Sequence, residues 1–101
     1  MNIILTDRLN DLKQLCELYK VKTMYAFGSV CTENFNDQSD IDFLISFDKL
    51  TIEQYSDNYF EMHYKLQDLF NRRIDLLTDN SLSNPYFIQG IEQTKQLIYA
   101  A

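Results

Sequence analysis

Residues 27–47, FGSVCTENFNDQSDIDFLISF, decide how this chain folds and where its chemistry lies. A turn at Gly28-Ser29 ends one apolar run, and a second apolar run opens with the acids Asp40 and Asp42. Residues i and i+2 of a strand point to the same face, so the two carboxylates stand side by side. Like charges this close repel each other unless a cation lies between them. Paired oxygen donors beside a small turn are typical of a site that holds Mg²⁺ against a phosphate.

Four apolar runs, two of them on either side of the turn, predict a small sheet. Residues 23–27 before the turn and residues 40–47 after it are strands, and residues 96–100 form a short edge strand. Residues 73–78 form another strand, in which Asp75 lies between apolar neighbours. A charge inside a strand must be paired or bound to a metal. Two explanations stay open here, a partner in Arg73 on the same face or a functional carboxylate.

Helical periodicity fills the segments between these strands. A stripe of apolar residues at spacings of three and four predicts a first helix with Thr6 as its N-cap (Leu5, Leu9, Leu12, Cys16 and Tyr19). Thr51 and Gln54 match a capping box that begins a helix of about five turns. Asn84-Pro85 begins the last helix, whose buried side comprises Phe87, Ile88 and Ile91. The order α-β-turn-β-α-β-α-β predicts an α/β (α+β) fold, a small mixed sheet of three to four strands flanked by helices.

Composition limits the functions that such a chain can have. With 101 residues it is expected to form one domain over residues 1–101. A net charge of −6 is unsuited to direct nucleic-acid or membrane-surface binding. The two cysteines have no CxxC spacing, so neither a disulfide framework nor a zinc site is expected. This cysteine content predicts a cytoplasmic location. No apolar run has the roughly 18 residues of a membrane span, and the N-terminus does not resemble a signal peptide.

The ordered set Phe27-Gly28-Ser29, residues 39–45 and residues 74–77 resembles the nucleotidyltransferases of the DNA-polymerase-β-like superfamily. It looks most like the minimal nucleotidyltransferases found as antitoxins beside HEPN-domain toxins in bacteria and archaea. The helix order between the motifs also agrees, so the resemblance covers nearly the whole chain. It implies a nucleotidyltransferase fold.

The resemblance also implies a role for each matching residue. Gly28 and Ser29 would bind the triphosphate of ATP, and Asp40 and Asp42 would hold two Mg²⁺ ions. Asp75 would complete one metal site and help to activate the attacking hydroxyl. The reaction would transfer AMP from ATP to a protein hydroxyl, in this family a tyrosine of the cognate HEPN RNase toxin, which it silences. The expected partners are this toxin and ATP, in a homo- or hetero-oligomer.

One segment departs from the family pattern. Members of the group often have arginine soon after Gly-Ser, whereas this chain has Val30-Cys31-Thr32-Glu33. Lys22, Arg72 or Arg73 could supply the missing positive charge, with Arg73 preferred because it shares a face with Asp75. Two other functions stay open. One is a non-catalytic antitoxin that neutralises its toxin by forming a complex. The other is transfer to a small molecule, for which this short chain has no acceptor domain.

Overall fold

The computed structural model describes all residues from Met1 to Ala101. Four strands form one mixed sheet with the order β3-β2-β1-β4. Their bounds are β1 (Val21–Phe27), β2 (Ile41–Phe47), β3 (Ile74–Thr78) and β4 (Gln96–Ala100). Strand β1 runs antiparallel to β2 and β4, while β2 and β3 are parallel. The predicted mixed sheet flanked by helices is therefore confirmed, with β4 at its edge.

Four helices accompany the sheet: α1 (Ile3–Thr6), α2 (Leu9–Leu18), α3 (Ile52–Phe70) and α4 (Pro85–Thr94). Short 3₁₀ turns lie at Gly28–Cys31 and Asp79–Ser81. The capping box of α3 is present, and Asn84 caps α4 as predicted. None of these helices combines the length and the apolar composition that a membrane crossing needs.

The prediction of one N-terminal helix capped by Thr6 is wrong. The chain breaks between α1 and α2, and Thr6 is the last residue of α1, where its hydroxyl donates to the Ile3 carbonyl at 3.1 Å. Of the predicted stripe, Leu9 is exposed, while the other four members are buried. Leu5 and Leu12 both belong to the core, one on each side of the break.

One face of the sheet forms the core against α2 and α3. Alternate strand residues and the apolar stripes of the two helices make a single buried cluster (Met24, Ala26, Ile41, Phe43, Ile45, Ile74 and Leu76 with Leu12, Cys16, Met62 and Leu66). Asp42 lies between two of these buried residues on β2, and Asp75 between two on β3. Because side chains alternate along a strand, both acids project from the opposite face.

The strand register brings three segments of the chain to one place. Asp42 is the Cα partner of Asp75 across the parallel β2–β3 pair. Phe27, the last residue of β1, is the partner of Asp42 on its other side. The turn that follows β1 therefore lies beside the first residues of β2 and β3. This juxtaposition positions the candidate site.

Helix α4 packs differently from the prediction. Of the three residues expected to be buried, only Ile91 is buried. Ile88 is partly exposed, and Phe87 is 46% exposed. The Phe87 ring meets the Phe27 ring edge to face, with centroids 6.3 Å apart. The helix thus leans on the end of β1 and leaves much of its apolar side uncovered.

The capping box of α3 provides a test of local stability. Thr51 Oγ1 accepts from Gln54 N, and Gln54 Oε1 accepts from Thr51 N, each at 3.2 Å. Thr51→Ala removes one of these bonds and should lower the free energy of unfolding by about 1 kcal/mol in urea titrations. Ser56→Ala, at an exposed position in the same helix, should leave that free energy unchanged or slightly raised. Equal losses in the two variants would contradict the role of the cap.

Candidate active site

Asp42 and Asp75 form the centre of the site. Asp42 is half-buried and Asp75 is exposed, and their strands run in parallel register. Burial raises the pKa of Asp42 to about 6, and the negative charges of Asp75 and Asp40 add to this effect. A hydrogen bond with Asp75 favours the protonated carboxyl further. The two acids are therefore held at a distance where a proton or a cation between them is stabilising.

Asp40 lies just before β2, and its carboxylate is paired with Arg73. Its Oδ1 is 4.0 Å from Nε of Arg73, a weak and exposed ion pair. Asp40, Asp42 and Asp75 do not come together as a group of three ligands for a metal ion, and no other such group of His, Cys, Asp and Glu exists. The structure thus unites two of the three predicted carboxylates, and the metal role of all three stays a prediction.

The donor set of the pair suits a divalent cation. Carboxylate oxygens are the ligands that Mg²⁺ prefers. Burial and, to a smaller extent, the charge of Asp75 disfavour the ionised form of Asp42 and raise its pKa. A cation between the two carboxylates would remove their repulsion. Asp40, half-buried and two residues from Asp42, is the remaining carboxylate of the predicted ligand set.

Gly28 is required where it lies, for two reasons. Its φ of +73° is in the left-handed region, which residues with a Cβ rarely adopt. A Cβ built on Gly28 would also collide with Asp42 Oδ2. The turn therefore lets the backbone lie directly against the carboxylate. Such close approach is what a phosphate bound between backbone and metal would need.

Thr94 fixes this turn from the far end of the chain. The Gly28 amide donates to Thr94 Oγ1 at 3.1 Å, so the last residue of α4 holds the residue after β1. The sequence analysis missed Thr94. A single threonine 66 residues away has no spacing that connects it with Gly28, so only the packing of α4 could reveal it.

The segment after Ser29 has a structural role in this chain, where the family pattern predicts an arginine. Val30 is only 1% exposed and belongs to the core, where a charged side chain would be costly. Thr32 caps the 3₁₀ turn, because its amide and its hydroxyl both donate to the Ser29 carbonyl at 2.9 Å. This segment therefore stabilises the turn and supplies no positive charge.

The three candidate bases are placed very differently. Lys22 lies near the start of β1, at the opposite end of the strand from Gly28. Arg72 stacks on Phe35 and donates to the carbonyls of Asn36 and Ser39, so its guanidinium holds the loop. Arg73 is 88% exposed and adjoins Asp40. Of the three bases it is the one paired with a predicted site carboxylate, and its role toward a phosphate stays a prediction.

Comparisons with known proteins agree with this fold. Solved structures that it resembles include a toxin–antitoxin with AMP-PNP, at a TM-score of 0.71 and 22% identity over 92% of this chain and 73% of that chain. A "putative minimal nucleotidyltransferase" gives a TM-score of 0.68 and 20% identity over 95% of each chain. A complex of tri-AMPylated Shewanella oneidensis HEPN toxin with MNT antitoxin gives a TM-score of 0.66 and 20% identity over 96% of this chain and 73% of that chain. The fold is that of the nucleotidyltransferases, as predicted.

The sequence comparisons define the family. Residues 11–98 match the family described as nucleotidyltransferase domain. Two Methanocaldococcus jannaschii proteins named "Putative protein adenylyltransferase", MJ1379 and MJ1217, are 36% and 39% identical to this chain. Each comparison covers 86% of this chain and 84% of the relative. The chain is thus an enzyme of the nucleotidyl-transferring class. It belongs to the nucleotidyltransferase domain family, which confirms the resemblance found in its motifs.

The contact between Gly28 and Asp42 predicts a non-additive pair of substitutions. Gly28→Ala should lower the free energy of unfolding by about 2 kcal/mol or more, since both the positive φ and the Asp42 carboxylate oppose a Cβ. In an Asp42→Ala background only the backbone part should remain, about 1 kcal/mol. Urea unfolding of the four proteins of this double-mutant cycle measures the difference. Gly90→Ala is the matched control, because that helical glycine has open space and should gain stability. Additive losses would show that Asp42 does not crowd Gly28.

The raised pKa of Asp42 predicts how stability varies with pH. The folded protein retains a proton on Asp42 up to about pH 6, whereas the unfolded chain loses it near its usual pKa of about 3.9. The folded state therefore binds more protons between these values, and stability falls as pH rises through this window. Asp42→Asn should be more stable than wild type at pH 8, by about 1 kcal/mol once solvent screening is allowed for.

Urea unfolding at pH 4, 6 and 8 checks the sign of this effect. The advantage of Asp42→Asn should shrink toward pH 4, where wild-type Asp42 is protonated. Asp37→Asn, in an exposed loop, serves as the control and should show no such trend. A constant difference between Asp42→Asn and wild type at all three pH values would show that the pKa of Asp42 is not raised in the folded protein.

Proposed function

We propose that this chain is a Mg²⁺-dependent protein adenylyltransferase that transfers AMP from ATP to a hydroxyl of a partner protein in the cytoplasm. The observation that supports it best is the carboxyl pair Asp42–Asp75 beside a glycine turn that has no room for a side chain. A phosphate donor and a divalent cation need this combination of close backbone and clustered oxygen ligands. The family membership of the chain gives the reaction class.

Each residue has a separate task in this reaction. Gly28 admits the triphosphate to the backbone, and Ser29 offers its hydroxyl to a phosphate oxygen. Asp42 and Asp75, joined by Asp40, would hold Mg²⁺. When bound, Mg²⁺ neutralises charge on the phosphates and on the entering and leaving oxygens. Arg73, exposed beside Asp40, is placed to pair with a phosphate oxygen.

The chemical step is an in-line displacement at the α-phosphorus. The acceptor hydroxyl oxygen forms a bond to the α-phosphorus, and the bond from that phosphorus to the oxygen bridging it to the β-phosphorus breaks. Pyrophosphate leaves with the electron pair of that bond. Asp75, exposed at the start of β3, takes the proton of the hydroxyl on a carboxylate oxygen. Its exposure leaves this side open to a side chain of another protein.

The acceptor in this proposal is a tyrosine of a HEPN-type toxin, and the chain is the antitoxin of the pair. The M. jannaschii relatives are named for protein adenylyl transfer. The Shewanella oneidensis complex contains a tri-AMPylated HEPN toxin with its MNT antitoxin. An acidic chain with net charge −6 is suited to bind a partner with a basic surface. Exposed Asp75 lets the toxin bring its tyrosine to the site within the complex.

A second candidate function is an antitoxin that acts by binding alone. Two observations favour it. Val30 is buried where the related proteins often have arginine, and Asp40 faces Arg73 instead of the carboxyl pair. Both would weaken the binding of a triphosphate and its metal. In this case the Asp residues would not be needed for protection against the toxin.

Transfer of label from α-³²P-ATP tests the first function. With Mg²⁺ and the protein encoded beside it, the wild-type chain should label that partner, and EDTA should abolish the labelling. Asp42→Ala and Asp75→Ala should each reduce the initial rate by about 100-fold or more, since each removes a metal ligand. Asp37→Ala, in an exposed loop outside the site, should keep the wild-type rate.

Protection of cells from the toxin separates the two functions. The Asp40→Ala/Asp42→Ala double variant, shown to be folded by circular dichroism, should fail to protect if transfer is the mechanism. Full protection by this variant, with no label on the partner from wild type, would instead establish neutralisation by binding. Labelling that is equal in wild type and Asp42→Ala would refute the assigned site.

A further inference from the structure

A cavity of about 320 Å³ lies between α4 and the Gly28 turn. The carboxylate Asp42 and the glycine of the turn form one wall, so the cavity opens directly onto the candidate active site. Phe27, Tyr86 and Phe87 supply aromatic walls. None of the functions described so far uses this space.

Gly90 forms part of the cavity and is unusual in its position. It lies inside α4, where glycine costs about 1 kcal/mol relative to alanine. Its φ is not positive, and a Cβ built on it would meet no atom within 4 Å. Neither backbone conformation nor crowding inside the chain therefore calls for a glycine. The space above Gly90 is open to a molecule from outside.

The aromatic residues of α4 are exposed toward solvent around this space. The exposed fraction is 84% for Tyr86 and 46% for Phe87, although both belong to the first turn of a helix that buries Ile91. Phe87 is held in place by its edge-to-face contact with Phe27. Large exposed rings of this kind supply flat surfaces on which another ring can stack.

A chain of hydrogen bonds joins the cavity to the turn. The Gly28 amide donates to Thr94 Oγ1 at 3.1 Å, and that hydroxyl donates to the Gly90 carbonyl at 3.4 Å. The floor of the cavity and the backbone that approaches the phosphates are therefore fixed to each other. A ligand that spans both would meet one rigid surface.

We propose that this cavity binds the nucleobase of the nucleotide substrate, with Gly90 as its floor and Tyr86 and Phe87 as stacking surfaces. The inference rests on the proposed function for the position of the triphosphate. Asp75, which faces the acceptor hydroxyl, does not line the cavity and lies on β3, across Asp42 from the Gly28 turn. The acceptor therefore approaches on the β3 side, and the α4 side is left to the base.

Calorimetric binding of ATP and of inorganic tripolyphosphate, both with Mg²⁺, tests the cavity without any transfer reaction. Gly90→Leu fills the space and should weaken ATP binding by about ten-fold or more, because stacking on aromatic side chains has an effect of that size. Tripolyphosphate has no base, so its affinity should be the same in Gly90→Leu and wild type. The matched control is Gln89→Leu, exposed on the same helix and outside the cavity, which should bind both ligands as wild type does.

Tyr86→Ala gives a second test at a position where folding is safe, since this ring is mostly exposed. It should weaken ATP binding several-fold, and Tyr86→Phe should restore it. ATP binding unchanged in both Gly90→Leu and Tyr86→Ala would overturn the inference, even if transfer to the partner were lost, since the cavity would then serve the acceptor. Wild type that binds tripolyphosphate as tightly as ATP would overturn it too. A chain that transfers no label to the partner, but whose ATP binding is weakened by Gly90→Leu and Tyr86→Ala, would support the cavity while refuting the proposed transfer.

Discussion

The register between β2 and β3, which holds the carboxyl groups of Asp42 and Asp75 beside each other, is the constraint on which the candidate site depends. Two carboxyl groups face each other because β2 and β3 run in parallel register. The register in turn is set by the apolar residues on either side of each acid, Ile41 and Phe43 on β2 and Ile74 and Leu76 on β3, which must face the core. A shift of one residue would bury both acids. The core thus fixes a pair that by itself is unfavourable.

The surrounding elements limit how the pair can relax. Gly28 lies against Asp42 on one side, and its amide is tied to Thr94. Binding of a proton or a cation would stabilise the carboxylate of Asp42 in this position. Asp40 can pair with Arg73 because it lies before β2 and takes no part in the pairing of β2 with β3. Sites that depend on such pairs are less stable than the same fold without them, which is a common relation between stability and activity.

Much of this arrangement could be predicted from local patterns. Asp42 and Asp75 each lie in an apolar run, and Gly28 follows another apolar run, residues 23–27, so the three strands that bring these residues together were predictable. Helix starts at Thr51 and Asn84 were also predictable, because capping depends on residues within four positions. These features share one property: the interaction that creates them lies close in sequence.

The features that could not be predicted depend on contacts between distant residues. Thr94 binds Gly28 across most of the chain, and Val30 is part of the core although it follows a polar turn. The chain also breaks between α1 and α2 although the apolar stripe of the sequence continues across the break. The link between Gly28 and Thr94 also has a consequence for synthesis. A chain emerging from the ribosome contains all three acids before α4 has been made, yet its Gly28 turn remains unanchored until α4 has been translated and has docked. The order of synthesis therefore supplies the carboxylates before the contact that holds the turn beside them.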